Sequence, residues 1–158
     1  MRTSRLMIAA AILAFILPTH PAKPGVGDPL ISLYFFPGVR DNGGAALTGV
    51  ATSVHCSNFS GQTEKIEYSV TNFDASVKAF LSLNIGQFQT RTASTHDTLL
   101  YAEDLLLNTG TVDQGALLIV TTSLYIVCTA QVLDASASIP NGIDLHGIRF
   151  QVIPGTAE

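Results

Sequence analysis

Apolar and polar residues alternate along most of the chain after its first two dozen residues. In the segment KIEYSVTNF, Ile66, Tyr68 and Val70 fall on one side of an extended chain, while Lys65 and Glu67 fall on the other. The segment VKAFLSLNI, which follows a short turn, repeats this alternation. Because neighbouring side chains of a β-strand point to opposite faces, a period of two predicts strands with one buried face.

Similar segments recur along the chain, and turn-forming residues such as Pro37-Gly38 and Asn42-Gly43 separate them. About eight short strands with turns between them are typical of antiparallel sandwiches and barrels. We therefore predict an all-β fold, an antiparallel β-sandwich. The strand segments are residues 30–38, 47–56, 65–73, 77–85, 87–94, 115–123, 124–133 and 143–153.

Three segments carry more specific signals. Residues 115–123 (GALLIVTTS) are apolar on both faces, which is typical of a central strand. Residues 87–94 (QFQTRTAS) are short and mostly polar, which indicates an edge strand. Residues 97–107 (DTLLYAEDLLL) fit a short helix ending before Gly110 about as well as they fit a strand or a loop, because short apolar runs do not discriminate between these structures.

The N-terminus has the layout of a secretory signal peptide. Arg2 and Arg5 precede an apolar run over residues 6–17, and Pro18, Pro21 and the small residue Ala22 follow it. An uncleaved anchor and a buried helix are the alternatives, although the run is shorter than a membrane span requires. We expect a signal peptide at residues 1–22, a single domain at residues 23–158, and a secreted, periplasmic or extracellular location.

The chain has two cysteines, Cys56 and Cys128, and each lies in a segment with an apolar face. Cys56 shares its face with Val50 and Val54, whereas His55 points to the opposite face. In an exported protein this pattern favours a structural disulfide, and we predict a bridge between the two sheets. A reactive thiol and a zinc site are the alternatives, but no metal-ligand spacing surrounds either cysteine.

Two distant cysteines among about eight short strands resemble the layout of an immunoglobulin-type sandwich. The resemblance is one of layout, since the chain has no tryptophan and Ile126, not tyrosine, stands two residues before Cys128. It implies an immunoglobulin-like arrangement of strands and names no functional residue.

Charge excludes some classes of partner. The formal net charge is −4, and the lysines and arginines that follow the leader are scattered along the chain. A nucleic-acid-binding protein needs a basic patch, as does a protein that binds an anionic membrane surface. We therefore expect neither nucleic acid nor, apart from the signal peptide, membrane as a partner.

No catalytic or cofactor motif is present in the sequence. The chain has no G-x-S-x-G elbow and no H-E-x-x-H pair, and we expect no cofactor or metal. His96 and His146 lie next to or near Asp97 and Asp144, so a small secreted hydrolase that uses both histidines with a nearby Asp or Ser is the alternative hypothesis. It requires both histidines in one pocket.

The leading hypothesis is a secreted, non-enzymatic module with a structural or binding role. The sequence does not identify its partner, and a protein at the cell surface or in the periplasm is the candidate. Loops carry most binding sites on sandwich folds, and residues 38–46, 57–63 and 134–142 are candidates. The contact residues that we expect in the second loop are Asn58, Phe59 and Gln62, and Asn58 also begins an N-F-S glycosylation pattern. Strand addition near residues 87–93 is another route to a partner.

Overall fold

The computed structural model describes residues 25–151, which form ten strands and no helix. Five strands make one sheet, in the order β10-β1-β7-β3-β4, and five make the other, in the order β6-β5-β2-β8-β9. We call them the β1 sheet and the β2 sheet. The strands are β1 (Ile31–Asp41), β2 (Val50–Asn58), β3 (Glu64–Thr71), β4 (Val77–Ile85), β5 (Thr90–Ser94), β6 (Leu105–Leu106), β7 (Val112–Thr121), β8 (Ile126–Asp134), β9 (Ile143–Leu145) and β10 (Ile148–Arg149).

The predicted all-β sandwich is confirmed. All strand pairs are antiparallel except the short β5–β6 pair, and the period of two places the predicted side chains in the core. Ile66, Tyr68 and Val70 of β3 are fully buried, and Leu117 and Ile119 of β7 meet them from the neighbouring strand. The core therefore forms from the inward faces of both sheets, as the alternation requires. The predicted leader at residues 1–22 lies outside the described residues.

The disulfide between Cys56 and Cys128 is present, but it lies within one sheet. Cys56 of β2 is paired directly with Cys128 of β8, and their Cα atoms are 4.2 Å apart. The predicted inter-sheet bridge is therefore wrong, and with it the feature that most resembled an immunoglobulin-type layout. A period of two shows that a side chain points inward, but residues of adjacent strands and of facing strands share that property.

Residues 97–107 form a loop, which is one of the three alternatives for this segment, and not a short helix or a full strand. The segment is irregular and ends in the two-residue strand β6, which pairs with β5. Tyr101 from this segment lies against His55 on the outward side of β2, with ring centroids 4.4 Å apart. The segment therefore covers part of the outer face of the β2 sheet.

The strand edge near residues 87–93 is not free, in contrast to the expectation from its polar sequence. β5 begins at Thr90 and pairs with β2 on one side. On its other side β6 pairs with Ala93 and Ser94, and the Asp104 carboxylate accepts a hydrogen bond from Thr92 N at 2.8 Å.

Within residues 25–151, no helix is long and apolar enough to cross a membrane.

Candidate binding site at one end of the sandwich

The buried side chain of Asn58 connects two turns at one end of the sandwich. β2 ends at this residue, whose Nδ2 lies 2.7 Å from Gln62 O, 3.0 Å from Ile85 O and 3.1 Å from Gly86 O. Its Oδ1 accepts a hydrogen bond from Ser60 N at 2.9 Å. Because buried amide groups are stabilised by such hydrogen bonds, Asn58 fixes the loop after β2 against the end of β4.

Backbone hydrogen bonds bring three exposed aromatic residues to this end. Phe88 N donates to Asn58 O at 2.9 Å, and Phe59 N donates to Tyr125 O at 2.9 Å. The side chains of Phe59, Phe88 and Tyr125 are 57%, 69% and 43% exposed. They come from the β2–β3, β4–β5 and β7–β8 connections, and we call this group the aromatic end.

Phe88 has an unusual backbone conformation. Its φ is +57°, in the left-handed region that glycine and asparagine favour in turns. A bulky residue there is destabilising by about 1–2 kcal/mol, and the exposed ring recovers little of this through packing. Leu47 and Ala75 share this backbone conformation elsewhere in the described residues, and strained residues can serve functional sites. Phe88 differs from both in its exposed aromatic ring beside Phe59 and Tyr125, which makes the aromatic end a candidate site.

The aromatic end carries no charged side chain in its three connections. Residues 59–63 read FSGQT, residues 86–89 read GQFQ and residues 122–125 read TSLY. Glu64, which follows the first of these stretches, is fully buried and accepts a hydrogen bond from Thr122 Oγ1 at 2.5 Å. Exposed aromatics among hydroxyl and amide groups, without charge, match the centre of a protein-binding surface.

The three predicted contact residues separate into two kinds. Phe59 is exposed, which fits a contact residue, and Gln62 is half-buried. Asn58 is fully buried, so its side chain is a scaffold for the loop and has no free surface for a partner or for a glycan on its amide nitrogen. That this loop contacts a partner remains a prediction.

Sequence reasoning missed the other two aromatics of this end. Phe88 stands in a four-residue turn, GQFQ, where a large apolar residue is out of place, and that oddity was the available signal. Tyr125 carried no signal, because the residue lies within an apolar run.

The two histidines of the hydrolase hypothesis lie in different surroundings. The buried His96 has Nδ1 at 2.7 Å from Asp41 Oδ2 and Nε2 at 3.0 Å from Thr48 O, so both ring nitrogens have partners within the fold. His146 is exposed and lines a cavity of about 540 Å³ together with Asp144, and His96 is not among the residues that line it. The cavity therefore does not bring the two histidines together.

Metal ligands do not converge in the part of the chain that the structure describes. No group of three or more His, Cys, Asp or Glu side chains there could hold a metal ion. The two cysteines are joined to each other, so neither is a thiol ligand in this oxidised form.

Fold and site together define a β-sandwich domain with a cross-strand disulfide and an aromatic end whose three connections carry no charged residue. No protein-family model and no curated protein matches the chain. It is similar to a solved structure entitled "Crystal Structure of Thermotoga maritima 1070", at 15% identity, over 79% of this chain and 92% of that one, with a TM-score of 0.48. A TM-score below 0.5 at this identity supports no conclusion about function.

Proposed function

We propose that this protein is an exported, non-enzymatic binding module that contacts a protein partner through the aromatic end. The observation that carries the proposal is Phe88, an exposed aromatic residue held in a left-handed backbone conformation. Glycine or asparagine would be less strained at that position. Partner binding gives a reason for phenylalanine there.

The hydrogen bonds that fix the connections of the aromatic end support this proposal. Asn58 ties the connections after β2 and β4 together through a fully buried side chain. Rigid aromatic side chains lose little conformational entropy on binding, and they are enriched among the residues that contribute most of the binding energy. A fixed set of three such side chains is therefore suited to an apolar patch on a partner.

The signal-peptide pattern and the disulfide support export. Disulfides persist in oxidising compartments such as the periplasm and the extracellular space. The Cys56–Cys128 bridge fits such a location, and the leader at residues 1–22 supplies the route. Intact mass of the exported protein should show loss of about 22 residues, and a retained leader would favour the anchored alternative.

The test of binding uses the exported protein as bait in fractions from its own host, with cross-linking at the aromatic end. Phe88→Ala and Tyr125→Ala should each weaken capture of the partner by at least about 10-fold, as loss of an aromatic anchor does. Phe73→Ala and Ile139→Ala are matched controls, because these side chains are 68% and 72% exposed outside the aromatic end. Equal capture by all four variants would contradict the proposal.

A second variant separates binding from folding. Phe88→Asn places a residue that tolerates positive φ at the strained position, so the free energy of unfolding should rise by about 1 kcal/mol. The same variant should bind the partner less well, because the aromatic ring is gone. A variant that is both more stable and weaker in binding would show that the strain serves the partner. If Phe88→Asn gains no stability and keeps full binding, the proposal is wrong.

A further inference from the structure

The outer face of the β1 sheet carries an apolar row that crosses all five of its strands. Strand register aligns Ile148 of β10 with Phe35 of β1, and Phe35 with Leu118 of β7. Leu118 is aligned with Ser69 of β3, and Ser69 with Phe80 of β4. Four of these five residues are apolar, and we call the group the outer row.

The outer row points away from the core. Leu118 stands between the buried Leu117 and Ile119, and Ser69 stands between the buried Tyr68 and Val70. Since side chains alternate along a strand, Leu118 and Ser69 face outward. Their neighbours in register, Phe35 and Phe80, share that face.

Much of this face is open to solvent. Phe80 is 62% exposed and Ile148 is 48% exposed, while Phe35 is half-buried beside the ring of Phe150 at a centroid distance of 6.5 Å. All ten described strands belong to the two sheets, so none of them lies over the outer row. Outward positions of antiparallel sandwiches are normally polar, and an apolar row that crosses every strand of the sheet indicates a surface that another molecule covers.

We propose that a second copy of this chain covers the face, so that two β1 sheets pack against each other about a two-fold axis. With the axis along β7, β1 of one copy lies over β3 of the other. The Phe35 ring then faces Ser69, the small residue of the row, and Phe80 faces the β10 side with its Ile148. Large residues opposite small ones allow two sheets to interdigitate.

Charge favours a second copy over a strongly charged partner. Lys65 and Glu67, which project on the same side of β3 as Ser69, pair with each other at 2.8 Å. That pair carries no net charge, and Lys78 of β4, two residues before Phe80, is a further cation near the outer row. Two copies of the face can therefore approach with little like-charge repulsion. The depletion of charge also matches the core of homodimer interfaces.

The size of the face is sufficient for a dimer. Five strands spaced at about 4.8 Å give a width of about 24 Å. β7 has 10 residues, and at about 3.4 Å per residue its length is about 34 Å. The product is about 800 Å², and it falls to about 650 Å² when each strand is counted at its own length, because β10 has only two residues. This lies within the range of about 600–1,000 Å² that each partner contributes to a stable interface.

Sedimentation velocity of the oxidised, exported protein between about 1 and 100 µM tests this proposal. The wild type should be a dimer. Leu118→Glu and Phe80→Glu should each weaken self-association by at least about 100-fold, because they bury unpaired carboxylates. Phe80→Glu guards against a folding artefact, since this side chain is largely exposed within the monomer. Phe73→Glu is the matched control, because Phe73 is equally exposed but lies in the β3–β4 turn.

Two outcomes would overturn the proposal. One is a wild type that stays monomeric at about 100 µM, which would leave the face to a different partner. The other is a dimer that neither Leu118→Glu nor Phe80→Glu weakens, which would place the interface elsewhere. The dimer is independent of the aromatic end, so Phe88→Asn should leave self-association unchanged and Phe80→Glu should leave partner capture unchanged.

Discussion

The two sheets of this sandwich have different outer faces. The outer face of the β2 sheet is polar, and residues 97–107 of the same chain lie on it. The outer face of the β1 sheet carries the apolar outer row, and none of the described strands covers it. The two faces flank one core and have similar strand numbers, so their difference is one of surface chemistry.

Side-chain hydrogen bonds attach residues 97–107 to the outer face of the β2 sheet. Ser53 Oγ and Ser94 Oγ are 2.7 Å apart, and Glu103 Oε1 accepts a hydrogen bond from Ser94 Oγ at 3.0 Å. Glu103 Oε1 also accepts hydrogen bonds from Thr98 N and Thr98 Oγ1. One carboxylate thus satisfies several polar groups, which a nearby stretch of chain can do at low entropic cost.

An apolar face sets a different requirement. Its burial is stabilised in proportion to the area removed from water, at about 25 cal/mol per Å², and it does not depend on a few directed bonds. A short segment cannot cover five strands, but a second sheet can. The chain therefore covers its polar outer face with its own residues 97–107, whereas the proposed dimer would cover the outer row.

The largest effect that we predict concerns the disulfide at the centre of the covered sheet. Cys56→Ala with Cys128→Ala should lower the free energy of unfolding by about 4 kcal/mol, because the bridge closes a loop of 72 residues in the unfolded chain. Urea denaturation at neutral pH measures this difference. The outer row does not involve the bridge, so a variant that still folds should still self-associate.

Reduction of the wild type supplies the control for this prediction. The reduced wild type and the double variant should have similar urea midpoints, because both lack the same constraint on the unfolded chain. A double variant with the stability of the oxidised wild type would show that the bridge is dispensable for the covered sheet.

Much of the sandwich could be predicted because its core follows a local rule. The alternation around Ile66, Tyr68 and Val70 identified β3 and its buried face, and the apolar faces of Cys56 and Cys128 identified their pairing. The inter-sheet placement of the bridge could not be predicted, because neighbouring strands and facing strands both direct side chains inward. Strand order is a long-range property, and the period of two does not contain it.

The candidate site was predictable only in part, for a similar reason. Phe59 was predicted to be exposed because the residues around it are polar. Asn58 has the same polar surroundings in the sequence. Its side chain is nevertheless buried, because it donates hydrogen bonds to the carbonyl groups of the distant residues Ile85 and Gly86. Phe88 and Tyr125 join Phe59 through backbone hydrogen bonds between turns far apart in sequence, which no local pattern records.

The second prediction compares the effect of a Glu→Ala substitution on the stability of each of the two outer faces. Glu103→Ala on the covered face removes an acceptor of several hydrogen bonds and leaves the buried Ser94 hydroxyl with fewer partners, so we expect a loss of about 2–3 kcal/mol. Glu67→Ala on the other face removes a Lys65 ion pair and a hydrogen bond from Ser82, and should cost at most about 1 kcal/mol.

Urea denaturation of both variants, at a concentration where the protein is monomeric, gives this comparison. Equal losses for Glu103→Ala and Glu67→Ala would contradict the view that only one face is completed by the chain itself. A larger loss for Glu67→Ala would reverse it.

The smallest effect that we predict is a pH dependence that arises from burial under residues 97–107. Burial lowers the pKa of His55 below its ordinary value, and the negative charge of Glu103 opposes this only in part. Nε2 of His55 is buried without a hydrogen-bond partner, which agrees with a neutral ring in the folded state. The unfolded chain therefore binds more protons as the pH falls below about 6.5, and the folded protein loses stability in that range.

Thermal unfolding at pH 7.5 and pH 5.5 should show this loss for the wild type and a smaller one for His55→Gln. The difference between the two proteins isolates His55, because His96 and His146 are present in both. Tyr101→Ala should also reduce the pH dependence, since removal of the ring that covers His55 exposes the imidazole to water. If His55→Gln loses as much stability as the wild type between these pH values, the burial of His55 under this segment has no energetic consequence, and the two outer faces differ less than the structure indicates.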